Sequence, residues 1–246
     1  MIVMQGLFVN RLKDELKPLY RDLFEHTKEY CEGKKIVSFA AQWGNKYPET
    51  ANEGLLFVGR ATNGWLNDDA NVDNLFEGKD RIFNRDDQMI WVKEKEGDAD
   101  WNSNHSAFWR VVRGVARNFY PDDELEHIAW SNLCKLAFND KERRSQLPTQ
   151  TLYNLQLNDA NKILNKEIEI LSPKFVIILT NKWAVDFIPR INCNAKSTKI
   201  KEEKWLKYMA TVYKNDEYYV IHSECPERKK WQEHIDCLTN LINQFK

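Results

Sequence analysis

Apolar positions recur in this chain with two periods. From about residue 10 to 32, Leu12, Leu16, Leu19, Leu23 and Phe24 return at helical spacing with charges between them. That spacing predicts an amphipathic helix, stopped by Gly33. Pro18 falls inside the pattern, where its missing N–H predicts a kink or a split. Ser106 is placed to cap a second helix whose face is Phe108, Val111, Val112, Val115, Ala116 and Phe119, and Pro121 ends it. Residues 151–171 read as a long helix with Leu155, Ile163, Leu164, Ile168 and Leu171 inward. At the C-terminus Pro226 suits a first helical turn, and Trp231, Ile235, Leu238, Leu241, Ile242 and Phe245 mark a buried face.

Between the helices stand four short apolar runs, each ending in small or polar residues. Gly54 to Gly59 leads into Arg60, Ala61, Thr62, Asn63, Gly64 and Trp65; His127 to Trp130 leads into Ser131 and Asn132. Phe175 to Leu179 leads into Thr180 and Asn181, and Tyr218 to Ile221 into His222 and Ser223. Runs of this length, rich in β-branched and aromatic residues, predict buried strands. Alternation of strands and helices predicts an α/β fold: a three-layer α/β/α sandwich around a mainly parallel sheet of about four strands, as a single domain over 1–246. In such sheets ligands bind outside the carboxyl ends of the strands, which makes the four exits the candidate site.

The remaining segments are less regular. Ile36 to Phe39 reads as a short strand or an extended loop, and residues 65–104 form a long polar connection broken by Met89 to Val92. Asn181 is placed to cap a short helix over 182–188. Trp205 to Tyr213 reads as one arm of a hairpin or a strand entering the fourth unit. Two basic groups, Lys141 to Arg144 and Lys196 to Lys207, carry interleaved glutamates, the mark of a solvated surface or a phosphate-facing rim.

Composition narrows the function classes. With 30% charged residues and no run of about 18 apolar residues, a membrane-embedded chain is not expected. The N-terminal residues lack the basic flank and small-residue cleavage site of a secretory signal, so a cytoplasmic protein is expected. Thirty-six basic against 37 acidic side chains leave no global basic footprint for nucleic acid. The five cysteines form no C-x-x-C pair, so the spacing offers no zinc or iron–sulfur site, and no metal or organic cofactor is expected.

The order of these blocks resembles the uracil-DNA glycosylase superfamily. The matching pieces are Val58 to Gly64, Trp130-Ser131-Asn132-Leu133, Ser172-Pro173-Lys174 running into Phe175 to Leu179, and Val220-Ile221-His222-Ser223-Glu224-Cys225-Pro226. The resemblance covers roughly residues 54–245. It implies a nucleobase-recognising enzyme that hydrolyses an N-glycosidic bond in DNA, at uracil or another deaminated base, and a DNA or nucleobase-containing partner. It gives Asn132 the role of base reader, because an amide offers both a donor and an acceptor to the edge of uracil. His222 would stabilise the departing base, and Asn63 would help place water. Gly59, Arg60, Ala61, Thr62, Gly64, Trp65 and Ser223 would line the pocket.

The chain also departs from the pattern. Ala61 stands where active members carry Asp or Asn, and His222-Ser223-Glu224 replaces a His-Pro-Ser segment. A second reading is therefore a catalytically inactive binding module on the same fold, holding a nucleic acid or nucleotide. A third is a small-molecule hydrolase. Each residue also has a plainer role: Asn132 could cap a loop, His222 could accept a backbone N–H, and Trp65 could pack in the core. His26, His105, His127 and His234 have no clustered partners in sequence and receive no role.

Overall fold

The structure, a computed structural model, describes residues 2–47, 54–62, 71–77, 83, 89, 92, 101–138, 147–191 and 197–246. The chain divides into two compact units, one comprising 1–42, 60–86 and 131–170, the other 43–59, 87–130 and 171–246. The class is mixed α/β, as the alternation predicts. Among the described residues no helix is long and apolar enough to cross a membrane.

In the first unit, α1 (Ile2–Cys31) starts earlier than expected and continues through Pro18 without splitting. Pro18 is solvent-exposed, and Leu12, Leu16, Tyr20 and Leu23 are fully buried along one stripe, which holds the helix across the missing hydrogen bond. Gly33, at φ 71°, terminates it as expected. Strand β1 (Ile36–Ser38) pairs antiparallel with β5 (Leu136–Phe138), Val37 facing Ala137. Most of α5 (Gln150–Leu171) also lies in this unit. Leu155, expected inward on α5, is 40% exposed; the buried stripe there includes Gln156, Asp159 and Glu167 instead.

Those polar residues have partners. Gln156 Oε1 accepts from the backbone N–H groups of both Lys135 and Leu136 at 2.9 Å, and its Nε2 donates to Leu136 O at 3.0 Å. Lys135 and Glu167, with both side chains wholly buried, form an ion pair at 2.7 Å. Ser131 Oγ donates to Glu167 at 2.6 Å and accepts from Lys135 Nζ at 2.8 Å. Burial lowers the Lys135 pKa, and the neighbouring Glu167 charge opposes that shift. On the same α5, buried Asp159 holds exposed His26 of α1 at 2.7 Å, and this hydrogen bond raises the pKa of His26.

The second unit is built on a sheet wider than the four strands expected. The seven-stranded order is β2-β4-β3-β6-β9-β8-β7, with β2 (Gln42–Trp43), β3 (Leu55–Gly59), β4 (Ile128–Asn132), β6 (Phe175–Leu179), β7 (Thr198–Trp205), β8 (Tyr208–Lys214) and β9 (Tyr219–Ser223). Strands β3, β6 and β9 are parallel, while β8 and β7 add an antiparallel hairpin. Every residue of β3 and β6 is buried, which explains their unbroken apolar runs. Strand β7 (TKIKEEKW) is a largely exposed edge carrying three lysines and a bulge, features that blunt edge-to-edge pairing.

After the short helices α2 (Val72–Phe76) and α3 (Trp101–His105), helix α4 (Ala107–Arg117) is capped by Ser106, whose Oγ accepts from Trp109 N. It packs on α6 (Trp231–Phe245) through Gly114, where a Cβ would collide with the Ile235 side chain. Helix α6 begins at Trp231 and not at Pro226. Residues 226–229 instead form a turn, with Lys229 N donating to Pro226 O and Arg228 at φ 59°. Trp231, expected on the buried face, is consequently 46% exposed. Asn181 is the N-cap residue of a 3-10 turn, Lys182–Asp186, but makes no side-chain capping bond.

The buried ion pair gives the first test. Lys135→Met leaves the Glu167 charge uncompensated and should cost about 3–5 kcal/mol, while adding Glu167→Leu should recover most of that loss. Urea unfolding of the wild type, both single variants and the double variant measures this. A double variant no more stable than Lys135→Met alone would contradict the pairing.

Candidate functional site

The exits of β3 and β4 meet in the first unit. Cys134 N donates to Arg60 O at 2.9 Å, tying the segment after β3 to the segment after β4. Arg60 and Ala61 are half-buried and Thr62 is buried. Burial pushes the Cys134 thiol well above its usual range, with the Lys135 and Arg60 charges opposing. Reactive thiolate chemistry is therefore disfavoured there. Asn63, Gly64 and Trp65, expected to place water and line the pocket, lie outside the described residues, as do Lys141 to Arg144 and Lys196.

Asn132 closes β4 and is 1% exposed, and its Nδ2 has no hydrogen-bond partner among the described residues. Buried amides are normally satisfied, because leaving a donor unpaired costs about 1–3 kcal/mol. Relaxation is restricted on both sides. Ser131 precedes the residue and Lys135 follows three positions on, and both bind Glu167. The backbone carrying the unpaired donor is thus tied on both sides to Glu167.

The second unit carries the other exits. His222 lies opposite Ile178 of β6 and Thr211 of β8. Its Nε2 is 2.6 Å from the carbonyl oxygen of Thr180, directly after β6. A carbonyl only accepts, so Nε2 carries the proton and donates it. In the neutral ring Nδ1 then remains an acceptor. This arrangement does not suit the expected role of His222: the donor that would stabilise a leaving group is committed to Thr180. The Thr180 hydroxyl is buried and has no partner among the described residues.

Ser223 does not line a ligand site with His222. Adjacent strand residues point to opposite faces, and the Ser223 Oγ sits 2.9 Å from buried His234 Nε2. His234, left without a role by sequence, stacks on Trp205 with centroids 4.1 Å apart and planes at 11°. A useful signal was its place three residues after Trp231 and four before Leu238, on the inward side of α6. Ser223 and His234 do not form a nucleophile with its base. Both are buried, and among the described residues His234 Nδ1 has no partner to orient the ring.

The exits therefore gather as Arg60, Ala61 and Thr62 beside Asn132 to Cys134 in the first unit, and as Thr180 beside His222 in the second. Gly59 ends β3 as a buried residue. No protein-family model matches the chain, and no curated protein matches it.

Burial, followed by the nearby Lys229 charge, lowers the His234 pKa to about 3. An unfolded imidazole titrates near 6.5, so between these values the unfolded chain holds the extra proton and acid favours unfolding. The neutral ring's contribution is fully present above about pH 6.5. It is lost by about 1.4 kcal/mol for each pH unit on descent towards 3. Unfolding free energies at pH 7 and pH 5 should differ less for His234→Gln than for the wild type. An identical difference would show that His234 is not held neutral.

Proposed function

We propose that this protein recognises a nucleobase-containing ligand on a uracil-DNA glycosylase-like α/β fold, and that it binds the base without hydrolysing the N-glycosidic bond. The observation that carries this reading is the Asn132 amide, a buried and unpaired donor at the carboxyl end of β4. A ligand carbonyl such as O4 of uracil would satisfy Nδ2, while the amide oxygen is suited to accept from a ring N–H. Desolvation makes such a contact discriminating, because a base that fails to supply an acceptor leaves the donor unpaired.

Two features favour binding over hydrolysis. Ala61 stands where the resemblance puts a water-activating carboxylate or amide, and a methyl group does neither task. His222 spends its Nε2 proton on Thr180 O, so that donor is not open to a departing base. The parallel β3-β6-β9 core, with Thr180 directly after β6 and His222 near the end of β9, supports the fold-level resemblance.

The test pairs calorimetric binding of uracil, deoxyuridine and hypoxanthine with an alkali-cleavage assay on oligonucleotides carrying the same bases. At least one base should bind, and Asn132→Ala should weaken it about ten-fold or more, the equivalent of one buried hydrogen bond. Strand cleavage should stay at background. Abasic sites formed by the wild type would instead favour the glycosylase. Absence of binding by every base would end the reading.

A further inference from the structure

Within the first unit, α1 and α5 are joined by a ladder of side-chain contacts. Arg11 reaches Glu169 at 3.4 Å, and Glu15 meets Lys166 at 2.9 Å. The Glu167 charge bears on buried Tyr20. His26 then meets Asp159, and the Tyr30 hydroxyl lies 2.7 Å from Thr149 Oγ1, just before α5 begins. Positions rise along α1 as they fall along α5, so the two helices run antiparallel. Glu15 and Lys166 hold each other ionised, the carboxyl pushed down and the ammonium pushed up. The imidazole is the member of the ladder whose ordinary titration lies near neutral pH.

The His26–Asp159 contact is built asymmetrically. The imidazole is 60% exposed and exchanges protons freely with water, whereas the Asp159 side chain beneath it is only 4% exposed. His26 Nδ1 stands 2.7 Å from Asp159 Oδ2, and because a carboxylate accepts, Nδ1 carries a proton in either state of the ring. Gain or loss of charge therefore takes place at Nε2. The neutral ring keeps the hydrogen bond but loses the charge assistance that makes such bonds roughly twice as strong. Two further charges act on the ring: Asp22, four residues earlier on α1, favours the charged form, and Lys162, which reaches Asp159 Oδ1 at 3.4 Å, opposes it.

The position of the contact gives it a consequence. His26 lies in the last two turns of α1, which end at Cys31, and the chain then turns through Gly33 into β1 and its pairing with β5. Asp159 follows by one helical turn Gln156, which holds the Lys135–Leu136 peptide at the start of β5.

We propose that His26 and Asp159 are a pH-operated latch: the charged imidazole holds the last two turns of α1 against α5, and the neutral ring lets them open more often. The hydrogen bond to Asp159 raises the His26 pKa in the docked state. The stabilisation is complete below about pH 6.5, the ordinary imidazole value, and is lost as pH rises through the higher value of the docked ring. Acid thus tightens the α1–α5 contact, opposite in sign to its effect on buried His234 of α6.

The experiment follows hydrogen exchange of the amides of residues 25–31, expressed as protection relative to intrinsic rates, at about pH 5.5 and about pH 8.5, on either side of the imidazole range. In the wild type, protection should be greater in acid, by about ten-fold for each unit by which docking raises the His26 pKa. A nuclear magnetic resonance titration of the His26 ring measures that rise independently, and linkage requires the two to agree. His26→Gln keeps a donor and Asp159→Asn keeps an acceptor, and both should remove the difference; Asp159→Asn should also return His26 to ordinary titration. Lys162→Gln should enlarge the difference. Equal protection at the two pH values in the wild type, or a difference that persists in His26→Gln, overturns the latch.

Discussion

The buried pair of Lys135 and Glu167 is the constraint on which the first unit depends. Two opposite charges at 2.7 Å, both wholly out of water, add little net stability, since desolvation offsets most of their attraction. What they fix is position. Ser131 joins the pair from the end of β4, Lys135 leads into β5, and Glu167 belongs to α5, so a strand exit, a strand and a helix are locked in one arrangement. Gln156 reinforces it by binding the backbone on both sides of the Lys135–Leu136 peptide. Asn132 lies between Ser131 and Lys135 in this frame, and its buried Nδ2, unpaired among the described residues, is a donor that a ligand acceptor could satisfy.

In the second unit the pleat of β9 performs a comparable sorting. His222 and Ser223 are adjacent in sequence, yet one ring-bearing face leads to Thr180 and the open side of the hairpin, and the other leads to His234 and α6. A sequence reading that groups neighbours by proximity assigns both to one pocket. The period of two along a strand separates them. The same rule puts Lys204 on the side of His222 and Trp205 on the side of His234.

Legibility in the sequence followed burial. Strands β3 and β6 are covered on both faces, so their apolar runs stand out without any knowledge of partners. Ser106 shows as a cap because its hydrogen bond is local. The hairpin was only half visible: β7 is a solvated edge whose lysines and glutamates carry no alternation of apolar residues. The ionic frame was invisible for a different reason. A lysine and a glutamate 32 positions apart read as surface residues unless their meeting is known, and long-range pairing leaves no local period. Leu155 was misplaced by the same cause, because α5 turns Gln156 and Glu167 inward to serve that frame.

Recognition and hydrolysis make separable physical demands at such a site. Recognition needs a desolvated group whose hydrogen-bonding capacity is left open, and Asn132 has it. Hydrolysis needs, in addition, a group to activate water and a donor whose bond strengthens as charge builds on the departing base. For His222 to serve as that donor through Nδ1 it would have to be an imidazolium, and to serve through Nε2 it would have to abandon Thr180 O. The second change sets a stabilising contact against the transition state, whereas the Asn132 donor gains a partner at no such cost. The Asn132 amide thus meets the first demand more readily than the His222 ring meets the second.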